Sequence, residues 1–224
     1  MPAMSSASSS AVAVRRFPLT SKQVMSILGI APLGVYVVCH LWTNMYSLNG
    51  ASGIDGAMGY DDAVRASRAN PAMLFLELFG LGVPILIHAL IGLKIIARAR
   101  PNNMRYMTFR NLKYALQRLT GIGVLLFLGA HVIKARIMPA MEGHSETWAG
   151  MHAALSEVPT LTVYVLGMLG ISYHLANGVW SSAITLGVVT TPRAMRRMEW
   201  VSVFVLLALL TMSFLAIWGF QPKL

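Results

Sequence analysis

Acidic residues and cysteine are both scarce in this chain. Of 224 residues only eight are Asp or Glu, and charged residues of both signs make up 12%, against about one quarter in an ordinary soluble domain. A soluble surface cannot be built from so little charge when 56% of the residues are hydrophobic, so the sequence is that of an integral membrane protein. The single cysteine, Cys39, lies inside an apolar run. It excludes an internal disulfide, a cysteine-ligated iron–sulfur cluster and a C-x-x-C-H haem attachment, and it reads as a small buried hydrophobe. The N-terminus lacks the basic stretch and apolar core of a cleaved signal. Residues 1–20, rich in Ser and Ala, are expected to form a flexible tail, and 21–224 a single membrane domain. No internal repeat of about 20 to 50 residues appears.

What is present is hydrophobic length. Apolar runs at 24–46, 73–97, 119–138, 160–185 and 200–219 are each long enough to cross a hydrocarbon core of about 30 Å as helix. The expected fold is an all-α bundle of five transmembrane helices. The formal net charge of +10 would suggest nucleic acid in a soluble domain, but here the basic residues cluster at the ends of the runs, where they orient helices. With the N-terminus cytoplasmic, 13 of the 18 Lys and Arg fall inside and five outside, and every acid except Glu199 lies outside or toward the outer end. The positive-inside rule therefore places the N-terminus in the cytoplasm and the C-terminus outside. The basic inner loop 98–118, carrying Asn102, Asn103, Tyr106 and Phe109, suits lipid headgroups or a docked cytoplasmic partner. The outer loop 47–71 reads as irregular or as a short surface helix.

Four histidines, His40, His88, His131 and His174, fall one apiece in the first four runs. An imidazole inside a bilayer is expensive and is normally kept where it binds something or moves protons. His40 lies six residues, and His131 seven, from the outer ends of their runs, about 10 Å deep at 1.5 Å per residue. His88 lies fifteen and His174 fourteen residues from the outer starts of theirs, about 21 to 23 Å deep. Two layers of two histidines are what a pair of stacked bis-histidine haems requires, whereas a proton relay needs no matched pairs. Gly29, Gly34, Gly80, Gly82, Gly92, Gly121, Gly123, Gly129, Gly167, Gly170 and Gly178 offer openings for a flat porphyrin or for close helix packing. Pro84, four residues before His88, should remove a helix hydrogen bond near Gly80 and bend the second span. His144 and His152 read as solvated loop histidines, not ligands.

The same residues carry a family resemblance: H-L-W at His40, I-H-A-L-I-G-L-K at His88, Q-R-L-T-G before His131, and Y-H-L-A-N-G at His174. Over about residues 20 to 220 the chain resembles the five-helix, dihaem cytochrome b anchor of succinate dehydrogenase and fumarate reductase. The resemblance implies two haems b, an outer one on His40 and His131 and an inner one on His88 and His174, the pairing that depth also gives. It implies partners as well: a flavoprotein with covalent FAD and an iron–sulfur subunit that perform the dicarboxylate chemistry, at the cell's inner (cytoplasmic) membrane. This chain would be their non-dicarboxylate-binding anchor, passing electrons to quinone, commonly menaquinone, within the complex or a higher oligomer of it. No nucleic acid partner is expected.

Arg118 and Thr120 are candidates for binding haem propionates, arginine being suited to bidentate carboxylate contacts. For quinone-coupled proton transfer the candidate is Glu77, four residues into the second run; its competing reading is an interfacial acid paired with Lys134 or Arg136. Trp42, Lys134 and Arg136 would accompany it at an outer quinone site, and Ser26 and Arg118 would serve an inner one. Two other classes stay open at this point: the cytochrome b subunit of another quinone-linked enzyme, such as a membrane hydrogenase or formate dehydrogenase, and a haem-free proton-coupled transporter.

Overall fold

Threonines set most of the helix starts. Thr20 opens the first helix with a reciprocal capping box to Gln23, while Thr108, Thr147 and Thr191 each accept from the backbone N–H three residues on. Each such cap satisfies a helix N–H that has no partner within the helix, worth about 1 kcal/mol. The computed structural model describes residues 19–99 and 108–221. The expected tail, apart from Leu19 and Thr20, lies outside the described residues, as do Arg100, Asn102, Asn103, Arg105, Tyr106 and Lys223.

Among the described residues there are no strands, and five helices are long and apolar enough to cross a membrane: Ser21–Asn49, Met73–Ala97, Phe109–Met141, Val158–Thr185 and Pro192–Gly219. These are the first to fifth spans. The third and fifth begin ten and eight residues earlier than their apolar runs, because the threonine caps, not the hydropathy, fix where the helix starts. The exposure pattern is inverted relative to a soluble protein. Leu126, Phe204 and Phe75 are exposed, whereas Ser47, Ser172 and Asn177 are buried, as expected where the surroundings are hydrocarbon. Cys39 is exposed on the span surface, not buried as expected, since it lies on a face of the first helix that no other span covers.

The fourth span is central, packing along the third and the fifth and touching the first, while the second leans on the first and barely meets the third. Leu41, Leu175 and Leu209 join the first, fourth and fifth spans in one buried cluster. Within lipid this contact gains dispersion instead of hydrophobic free energy. Ser202 Oγ adds a hydrogen bond to the Ala176 carbonyl at 2.8 Å, of a kind worth about 0.6 kcal/mol between membrane helices.

Three spans contain wide turns with i to i+5 hydrogen bonding: Gly29–Gly34 around Pro32, Leu76–Gly82 just before Pro84, and Ile133–Ile137 just before Pro139. Proline lacks an N–H and its ring clashes with the carbonyl four residues back, and an extra residue in the turn relieves both. The disruption expected near Gly80 is therefore a widened turn containing that residue.

The loops between the first and second spans and between the third and fourth form a cap at one end. It holds two short helices, Tyr60–Arg68 and Trp148–Ser156. Tyr60, Met151, Leu155, Tyr164 and Phe220 make its core. Trp148 Nε1 donates to the carbonyls of Ser47 at 3.3 Å and Gly219 at 3.0 Å, and Asp61 Oδ1 accepts from Trp148 N at 2.6 Å. Loop 47–71 thus carries a helix and a packed turn, in which Gly53 and Gly59 lie too close for any side chain: a Cβ on Gly53 would meet the Ala57 carbonyl oxygen at 1.8 Å.

Candidate functional site

The four membrane histidines meet in two pairs. The ring centres of His40 and His131 are 5.8 Å apart with planes at 76°; those of His88 and His174 are 6.2 Å apart at 81°. Two metal–imidazole bonds of about 2 Å, plus about 1 Å from each ring nitrogen to its centre, sum to about 6 Å. Both pairs are therefore spaced for a single iron between them. The first pair lies toward the cap end of the bundle and the second toward the basic end.

Hydrogen bonding orients three of the four rings. His88 Nδ1 is 3.0 Å from the Met25 carbonyl oxygen, which can only accept, so Nδ1 carries the proton and Nε2 is left with a free lone pair. His131 Nδ1 is 3.2 Å from Tyr164 Oη, and His174 Nδ1 is 3.4 Å from Thr120 Oγ1, whose own proton goes to the Leu116 carbonyl at 2.7 Å. This is the usual arrangement around a metal-binding histidine, in which the nitrogen away from the metal donates to a neighbouring oxygen. His40 differs: its ring stacks on Tyr36 at 5.4 Å, and its Nε2 lies 3.3 Å from Asn44 Nδ2, which also donates to the His40 carbonyl at 2.7 Å.

Glycines seat the pair near the basic end. A Cβ on Gly29 would fall 2.8 Å from His88 Cε1, and one on Gly121 3.1 Å from His174 Cε1. Gly123 and Gly129 on the third span face open space, on a helix the second span barely approaches. The residues present thus fit two planar groups, each needing two axial nitrogens and room at its edges.

The remaining candidates are placed as follows. Thr120 has its hydroxyl committed between the Leu116 carbonyl and His174, and the Arg118 guanidinium lies 3.3 Å above the Tyr114 ring; the two residues do not converge. Glu77 is gripped on both oxygens, Oε1 by Arg68 from the cap helix and Oε2 by Arg136 Nη2 at 3.0 Å. Lys134 turns instead to Thr160 at 3.3 Å and Glu157 at 3.9 Å. Ser26 is buried and Trp42 exposed. In the cap, His144 is exposed and pairs with Glu142 at 2.9 Å, its pKa raised by the Ser145 carbonyl and then by Glu142. His152 is half-buried, stacked on Trp148 at 5.1 Å with Nδ1 2.7 Å from the Phe220 carbonyl, so it fastens the cap and is not solvated as expected.

Reasoning from sequence did not reach Tyr164, Met25 or Asn44. Tyr164 was within reach, because four residues into its run it lies about 6 Å deep by the same helix rise, close to the His131 layer.

No protein-family model matches the chain. The succinate dehydrogenase cytochrome b558 subunit of Bacillus subtilis strain 168 is 33% identical to it over 199 residues, covering 89% of this chain and 95% of the relative. Similarity at that level along nearly the whole length, together with five membrane-crossing helices, shows that the chain belongs to the succinate dehydrogenase cytochrome b558 subunits, the cytochrome b membrane anchors of that complex.

Proposed function

We propose that this anchor holds two haems b, one between His40 and His131 and one between His88 and His174. The observation that carries the reading is the pair of ring separations, 5.8 and 6.2 Å. Haem b, when bound at such a pair, supplies a one-electron ferric/ferrous couple. Met25 O, Tyr164 Oη and Thr120 Oγ1 hold three of the ligands in the tautomer that frees Nε2. His40 would hold the haem through Nε2 in place of its 3.3 Å contact with Asn44 Nδ2, which donates also to the His40 carbonyl.

The basic end faces the cytoplasm of a bacterial inner membrane and docks the iron–sulfur subunit, itself joined to a flavoprotein with covalent FAD. Those partners oxidise succinate, and this chain carries the electrons across the bilayer to quinone, menaquinone in the dihaem type. We place quinone exchange at the cap end, where Glu77 lies near the His40 and His131 layer and can hand a proton to or from the quinone oxygen. A second reading, that Glu77 only ties the cap helix and the third span to the second, is favoured by the guanidinium on each of its oxygens.

Pyridine haemochromogen analysis of the purified complex, with a reduced-minus-oxidised spectrum, should give two haems b per chain. One or none refutes the reading. His88→Ala and His174→Ala should each erase one redox component, and His40→Ala and His131→Ala the other. Loss of the same component in His40→Ala and His88→Ala would refute the pairing.

A further inference from the structure

At the basic end, two adjoining clefts of about 470 and 550 Å³ lie where the third, fourth and fifth spans converge, and they share Arg110 and Trp180. Lys113 closes the first and Arg196 the second. The one carboxylate on either wall is Glu199, and Lys113 already neutralises it at 3.1 Å. Three cations against one acid leave a net charge of two positive. Neither Arg110 nor Arg196 has an ion-pair partner among the described residues.

The first cleft borders the His174 turn: Gln117 on its wall donates from Nε2 to the His174 carbonyl at 3.1 Å and accepts from Asn177 at 2.7 Å. On the fourth span, Trp180 and Ile184 continue the helical stripe of Leu166, Leu169 and Tyr173, spaced three, four, seven and four residues apart, and Leu166 and Leu169 are exposed to the bilayer. The Trp180 ring is capped by Lys113 Nζ at 4.5 Å from its centre. Arg110 is the second residue of the third span and Arg196 the fifth of the fifth span, so both lie on the basic side of the apolar runs that begin at Leu119 and Trp200. Ile184, Pro192 and Met195 give the second cleft an apolar wall beside Arg110 and Arg196, while Asn111, Gln117, Asn177 and Ser181 make the first cleft more polar. Trp180 is common to both, and tryptophan is enriched at membrane interfaces generally.

We infer that this double cleft is a binding site for an anionic phospholipid, its phosphate held between Arg110 and Arg196 and its acyl chain lying along the Trp180–Leu166 stripe. The inference rests on the membrane placement of the spans, and lipid binding is read separately from haem content. A zwitterionic lipid gains less here, because its ammonium group is repelled by the same guanidiniums, and a free anion forgoes the apolar wall.

The test uses the delipidated complex in neutral detergent and counts bound lipid by native mass spectrometry against titrated phosphatidylglycerol or phosphatidylcholine. Phosphatidylglycerol should bind the parent protein preferentially. Arg110→Gln with Arg196→Gln should lower that affinity about 25-fold, about five-fold for each guanidinium lost near the surface, with phosphatidylcholine unaffected. Arg110→Lys with Arg196→Lys should recover most of it, and equal helical circular dichroism in all three proteins checks the fold. Equal binding of the two lipids by the parent overturns the proposal without recourse to any variant. So does full phosphatidylglycerol affinity in the double Gln variant, or displacement of the lipid by millimolar inorganic phosphate, which would make the occupant a free anion.

Discussion

Replacing Tyr164 by Phe removes one oxygen and nothing else from the neighbourhood of His131. The ring keeps its edge contact with Phe127 at 5.6 Å and its place in the cap core beside Tyr60 and Phe220, so shape and burial are preserved. What disappears is the hydroxyl 3.2 Å from His131 Nδ1, which on the proposed coordination through Nε2 accepts from that nitrogen. A buried N–H left without a partner costs about 1 to 3 kcal/mol, and loss of a group that orients a metal-binding histidine typically costs about 10- to 100-fold in metal affinity. The two scales agree, since about 1.4 kcal/mol is tenfold. Tyr164→Phe should therefore release one haem 10- to 100-fold faster than the parent when haem is drawn from the detergent-solubilised complex by an excess of apomyoglobin, while the other haem leaves at its original rate. The midpoint potential of the affected component should rise, because an imidazole that no longer donates from Nδ1 is less basic and stabilises the ferric state less. The affected component must be the one that His40→Ala abolishes. Unchanged release and potential, or a shift confined to the component lost in His88→Ala, would refute both the hydrogen-bond assignment and the pairing.

Gly29→Ala puts a methyl 2.8 Å from His88 Cε1 and 3.1 Å from its Nδ1, inside the roughly 3.5 Å of a relaxed contact. It should selectively deplete the component that His88→Ala removes, as read from the reduced-minus-oxidised spectrum. Glu77→Gln, nearly isosteric but unable to exchange a proton as a carboxylate does, should keep both haems and slow quinone-coupled turnover per haem; unchanged turnover would leave Glu77 as a structural tie alone. In the cap, burial raises the pKa of Glu146, with Thr147 N, His144 and Lys134 partly opposing it. The native state thus holds that proton to higher pH than the unfolded chain, so the associated stability is complete below the ordinary carboxylate value and is lost as pH rises through the native one. Glu146→Gln should accordingly strengthen amide-exchange protection in helix Trp148–Ser156 at pH 7 and make no difference near pH 4; the opposite pH dependence would contradict the burial argument.

The parts of this protein that were legible in the sequence are those that depend on one dimension. Hydrophobic length gave the five spans, and counting residues from their ends gave the two histidine layers. The structure brings together the same partners, His40 with His131 and His88 with His174. The helix starts of the third and fifth spans were missed because hydropathy is silent about Thr108 and Thr191, whose caps carry the helix out of the apolar layer. The sequence leaves the outer loop 47–71 as irregular or a short surface helix, and the structure has the helix Tyr60–Arg68 there; how the cap packs depends on contacts across the chain, such as Trp148 to Ser47 and Gly219, which no local pattern records. His152 and Cys39 were misjudged for the same reason, each being placed by what another element does or does not cover.

The widened turns explain why depth survived where facing did not. An added residue in a helix shifts everything beyond it by about 1.5 Å along the axis but by about 100° around it. The turn at Gly29–Gly34 lies before His40, and that at Leu76–Gly82 lies before His88, so a helical wheel drawn through either span would aim its histidine at the wrong neighbour while leaving its layer nearly unchanged. Of the groups that hold the rings, the Met25 carbonyl meets a histidine, His88, that a widened turn precedes, whereas Tyr164 and Thr120 meet His131 and His174 on helix that is regular up to the histidine. Prolines are the visible trace of these turns, at Pro32, Pro84 and Pro139. Each accompanies a segment where the backbone has exchanged an i to i+4 bond it cannot make for an i to i+5 bond it can. In the first two spans that exchange comes before the histidine and resets the direction its side chain faces. The prolines therefore belong to the ligand geometry even though none touches a histidine.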